Sequence, residues 1–175
     1  MSVDTGLDID GIHDALIAGA RAQFPDLRTV SDYHDERKTL ETPAVLFELV
    51  AFEGDEDADP GTEQLAMVAR FEARVVLGFR TPLVEREVRK LAAALALWIR
   101  GNRFGQPIDP AEILAVEPDP FDPDLDQFAV WSVEWRHQVH LGTSVWINDG
   151  VVPTALFSWV PRTGVPHEDD YLPIP

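Results

Sequence analysis

The chain contains no cysteine. Disulfides, thiolate metal sites and thiol nucleophiles are therefore excluded, and a reducing compartment is the plain expectation. Positive charge is scarce: 14 lysines and arginines stand against 31 aspartates and glutamates, a formal net charge of −17. A field of that sign repels phosphate, which argues against nucleic-acid binding and against anionic membrane surfaces. Solubility, basic protein partners and cations stay open. No apolar run approaches the roughly 20 residues of a membrane-spanning helix. The longest candidate, 91–99, is bracketed by Arg89, Lys90 and Arg100. The opening MSVDTGLDID is acidic and lacks the basic and apolar regions of a secretory signal.

What is present is enough apolar surface, 45% of residues, for one folded domain. Ile9, Ile12, Leu16, Ile17, Ala20 and Phe24 fall on a helical stripe, with Asp8 or Asp10 placed to cap it and Pro25 to stop it. His13 sits beside that stripe and reads as a packed histidine rather than a ligand. A short strand is expected over 28–34. Next, Val45, Phe47, Leu49 and Ala51 alternate with Glu48 and Phe52. Beyond an acidic turn, Leu65, Met67, Ala69, Phe71, Ala73, Val75, Leu77 and Phe79 alternate with Arg70, Glu72 and Arg74. Two alternating runs across a turn-rich loop predict a long antiparallel hairpin with one greasy and one wet face.

The second helix is expected after Thr81 as cap and Pro82 in the first turn, ending before Gly101. Its apolar face is Val84, Val88, Leu91, Leu95 and Trp98, directed at the greasy side of the hairpin. A strand over 113–116 and the linker EPDPFDPDLD lead to DQFAVWSVEWRHQVHLG, residues 126–142. There Ala129, Trp131, Val133, Trp135, His137, Val139 and Leu141 share one face of a strand. Phe71, Phe79, Trp98, Trp131 and Trp135 are the expected core aromatics. The order of elements predicts an α+β fold: a mostly antiparallel sheet with two helices packed on one face. Residues 1–142 form one domain in this reading. Residues 143–175, rich in Pro, Gly and Val, form an extended C-terminal segment that packs on its own domain or on a neighbour. Trp146, Phe157, Trp159 and Tyr171 are its candidate assembly contacts.

Chemistry is weakly represented. Asp55, Asp57 and Asp59 have the spacing of a calcium loop, but Pro60 stands where the sharp turn needs glycine and Ala66 where a bidentate glutamate belongs. A solvated hairpin tip comprising Glu53, Asp55, Glu56, Asp57 and Asp59 is the better reading. His137 and His140 are three apart on a strand, so they point to opposite faces and cannot share a metal. Asp32, His34, Asp35 and Glu36 form a conceivable acid–base cluster, yet no nucleophile or phosphate loop converges on it. No catalytic residue, metal ligand or cofactor site is assigned.

Four stretches together resemble a known family: DGIHDALIAGARAQFP, PLVEREVRKLAAALALWIRGNRFG, WSVEWRHQVHLG and SWVPRTGVPHEDDYLPI. The chain resembles the tail-terminator proteins of long-tailed bacteriophages, in the branch of Mu-like siphophages and related prophages, with the lambda-type terminator fold. That resemblance implies a structural, non-enzymatic subunit without cofactor. It implies a six-membered ring on the head-proximal end of the tail tube, with the major tail-tube protein on one side and a head-completion protein on the other. DNA passes through without specific binding. The location implied is the virion tail, and the host cytoplasm during assembly. In this frame the acidic tip and the wet sheet face line the channel, while Arg70 and Arg74 pair between subunits. Two other readings are a head–tail joining protein of the neck and, from a different class, a small hydrolase or metal-dependent enzyme using Asp32, His34 and Asp35.

Overall fold

A computed structural model describes residues 5–32, 40–59, 61–119, 128–145, 156–159 and 163–173. Two compact units divide the chain, 1–144 and 145–175. The first holds two helices, α1 (Ile9–Gln23) and α2 (Val84–Ile99), and five strands. The strands are β1 (Thr29–Asp32), β2 (Ala44–Gly54), β3 (Leu65–Gly78), β4 (Glu112–Pro118) and β5 (Phe128–Leu141). They form one sheet in the order β1-β2-β3-β5-β4. Every pairing is antiparallel except β1 with β2, which is parallel. The fold is α+β, as the alternation of periods predicts.

The β3–β5 ladder is the spine. It runs without a break from Leu65↔Leu141 to Gly78↔Phe128, so the alternation of the two sequences stays in phase over 14 residues. Val75, Ala73, Phe71 and Ala69 therefore meet Trp131, Val133, Trp135 and His137 on the helix-covered face. Both helices lie on that face. On α1, Ile12, Leu16 and Ala20 are buried, and on α2 Val88, Ala92, Leu95 and Ile99. Asp8 caps α1 by accepting the Gly11 N–H at 2.9 Å. Arg21 at its far end donates to the Val30 carbonyl at 2.8 Å, tying the helix to β1. The helices come close at Gly19, where a β-carbon would lie 2.8 Å from Cζ2 of Trp98.

Three local expectations are corrected. In β2 a bulge between Leu49 and Ala51 shifts the register, so Ala51 opposes Arg70 and Phe52 opposes Ala69. The inserted residue reverses the alternation: Ala51 turns to the wet face and Phe52 packs on the core. Thr81 does not cap α2. Proline at 82 disfavours helical backbone at the residue before it, and the Thr81 N–H instead closes a turn onto the Gly78 carbonyl at 2.9 Å. The helix begins only at Val84, after Leu83 in left-handed backbone with φ 53° and no side-chain cap. Phe79 is not a core aromatic: β3 ends at Gly78, and the turn carries Phe79 off the sheet to 53% exposure.

The second unit is small. Strands β6 (Leu156–Phe157) and β7 (Leu172–Pro173) pair antiparallel, and 165–170 form a 3-10 turn between them.

Candidate assembly surfaces

The wet face of the sheet is a striped charge lattice. Register places Glu48, Glu72 and Glu134 side by side across β2, β3 and β5. One row along, Arg70 lies directly opposite Arg136. Each guanidinium turns away from the other to a carboxylate of the same chain: Arg70 to Glu53 at 2.9 Å and Arg136 to Glu112 at 2.8 Å. Arg74, in the row on the other side of the glutamates, contacts Glu72 at 3.1 Å, Asp119 at 3.2 Å and Glu48 at 3.7 Å. Burial raises the pKa of Glu72, with Asp119 and Glu134 adding to the rise and Arg74 opposing it. Seven carboxylates (Glu48, Glu53, Glu72, Glu112, Glu117, Asp119 and Glu134) thus share this face with three arginines. Each of these arginines meets at least one carboxylate of its own chain.

At one end the same face becomes apolar. Ala44, Leu46 and Val76 are buried there, with Leu40, Phe128 and Val130 packed around them. At the other end is the hairpin tip. Glu56, Asp57 and Ala58 form a 3-10 turn, and Asp59 accepts the Gly61 N–H at 2.8 Å. Asp55 lines a cavity of about 240 Å3 together with Asp109, Glu112, Arg136 and Gln138. Glu53 is bound to Arg70, so it belongs to the lattice rather than to the tip. No group of three or more potential metal-ligating side chains occurs among the described residues.

His137 and His140 do lie on opposite faces. His140 reaches the Ala58 carbonyl at 3.2 Å across the tip. His137 is buried in the core, where its Nδ1 is 2.7 Å from the Asp109 carbonyl and its Nε2 accepts the Trp135 Nε1–H at 3.1 Å. Burial lowers its pKa. His13 is likewise buried, 5.8 Å from the ring of Phe71, and burial lowers its pKa. Both histidines are packing residues. Phe71 stacks on Trp135 at 5.5 Å, and Trp98 and Trp131 are half-buried against the same core. Asp32 is exposed at the end of β1, while His34, Asp35 and Glu36 lie outside the described residues.

Of the C-terminal candidates, Trp146 lies outside the described residues and Phe157 lies in β6. Trp159 is exposed. The Tyr171 hydroxyl accepts the Gly164 N–H at 2.9 Å, bracing the loop internally. One exposed group escaped sequence reasoning. Phe79, Pro82 and Leu83 form an apolar shoulder at the start of α2. Phe79 continues the apolar alternation of β3 and Leu83 adjoins the apolar stripe of α2, so the pattern itself concealed them.

No family model matches the chain, and no curated protein matches it. Its fold is found among solved structures. The chain is similar to one in the virion of a native gene transfer agent particle, with 12% identity and a TM-score of 0.52. The likeness covers 78% of this chain and 96% of that one.

Proposed function

We propose that this chain is a structural protein of a phage-like virion, and within it the subunit of a ring that caps the head-proximal end of a tail tube. The observation that carries the virion assignment is the shared fold with a virion chain over nearly that chain's full length. The four resembling stretches point to the terminator. Three map onto α1, α2 and β5, the elements that build the sheet-and-helix core. In this reading the ring halts tube growth, presents a surface to the head-completion protein and catalyses no reaction.

The wet face supports a channel-lining role. Its arginines are each held by a carboxylate of their own subunit, so passing DNA phosphates meet excess negative charge and no unengaged guanidinium. The C-terminal unit forms the contact with a neighbouring subunit, through Trp146, Phe157, Trp159 and Tyr171. Electron microscopy of particles made without this protein tests the reading. Overlong tubes are expected. Normal-length tubes without heads assign it to the joining step instead, and finished infectious virions overturn both.

A further inference from the structure

Around the start of α2 the chain reverses its overall character. Residues 79–90, FRTPLVEREVRK, carry four cations (Arg80, Arg86, Arg89, Lys90) against two carboxylates (Glu85, Glu87), a net +2 within a chain of −17. Lys90 is spent on Glu87 at 2.8 Å. Among the described residues no ion pair engages Arg80, Arg86 or Arg89, and all three are exposed. Phe79 and Pro82 line an open groove of about 730 Å3 with Arg80 and Phe128. Leu83 beside it is 66% exposed and holds φ 53°. Left-handed backbone strains a leucine in a way that glycine avoids. An apolar side chain kept in water at a strained position points to a use outside the subunit.

The C-terminal loop has the opposite composition. Residues 163–173 carry Glu168, Asp169 and Asp170 and no lysine or arginine, a net −3. Val165 and Leu172 are 82% and 58% exposed. The loop is also braced: β6 pairs with β7, Tyr171 accepts the Gly164 N–H, and His167 Nδ1 lies 3.2 Å from Asp170 Oδ2. A braced loop loses little conformational freedom on docking.

We infer that the acidic loop 163–173 of one copy docks on the basic, apolar shoulder at 79–90 of a neighbouring copy. The inference rests on the ring reading and names the surface that receives the C-terminal unit. Both surfaces combine exposed apolar side chains with charge, and the charges are of opposite sign. The two patches differ, so the contact is heterologous, the kind that propagates around a ring. The first turn of α2 adds its own positive end to the shoulder.

The test is complementation of particles that lack the protein, using tagged full-length variants and measuring incorporation. R80E/R86E/R89E and D169R/D170R are each expected to lower incorporation about tenfold, and the combined variant to recover to within about threefold of the original, because reversed partners attract again. Melting curves confirm that each variant folds. Variants that incorporate normally overturn this contact and leave the ring reading standing. Loss without recovery in the combined variant overturns it as well, since the two patches then face different partners. Particles that assemble fully without the protein remove the ring reading and this contact together.

Discussion

Asp109 and Trp135 between them fix one protonation form of His137. The imidazole donates from Nδ1 to the Asp109 carbonyl and accepts at Nε2 from the indole N–H; a second proton at Nε2 would break the Trp135 bond. Burial lowers the pKa of His137 from 6.5, so between that value and the folded one the unfolded chain binds more protons. The His137 contribution to stability is full above 6.5 and is lost as pH falls through the folded pKa. Urea unfolding from pH 7.5 to 5 should show this slope. His137→Phe should lose about 1–3 kcal/mol at neutral pH, through the carbonyl and indole left unpaired, and show a shallower slope. Equal slopes would exonerate His137. Leu83 makes the converse case. Leu83→Gly should stabilise the subunit by about 1 kcal/mol, by relieving left-handed strain, while weakening assembly. Thermal melts and incorporation then move in opposite directions; a loss of both would make Leu83 an ordinary packing residue.

At the scale of elements, the helices are held by close approach as well as by apolar area. Gly19 has no room for a β-carbon beside Trp98. An exposed helical glycine gains from replacement by alanine, yet Gly19→Ala should cost about 1–3 kcal/mol because α1 or Trp98 must shift. A denaturant midpoint that rises instead would show that the crossing has slack. The sequence made both helices, the hairpin and the β5 strand readable because their apolar periods run unbroken for two turns or more. It hid the β2 bulge, because the extra residue that turns Ala51 outward and Phe52 inward is set by the pairing with β3 and carries no mark in the residue types. It also misplaced the start of α2, where proline's effect on its predecessor outweighed the capping preference of threonine. The parallel β1–β2 pairing was equally invisible, since pairing direction belongs to topology rather than composition.

For the whole molecule, net charge sets the terms of assembly. Six copies would carry six times the −17 of one, and that repulsion reaches beyond the subunit only where salt is low. Screening begins at about 8–10 Å near physiological ionic strength, so salt removes repulsion between whole subunits before it weakens ion pairs in contact. Ring formation, followed by sedimentation, should strengthen between about 0.01 and 0.15 M salt. A monotonic weakening would mean that local attraction dominates throughout. Deleting 163–175 separates fold from assembly: the shortened subunit should melt as the full chain does and fail to incorporate. An unfolded product would return this segment to the subunit's own core.

The sequence by itself determined the α+β class, the two-faced sheet and the sign of the field, because periodicity and charge are local or additive properties of the chain. Only the tertiary structure decided which charges remain available. Strand register sets Arg70, Arg74 and Arg136 each beside a carboxylate that the sequence places 17 to 45 positions away. Arg80, Arg86 and Arg89 lie where a turn and a helix start carry them clear of any such partner among the described residues.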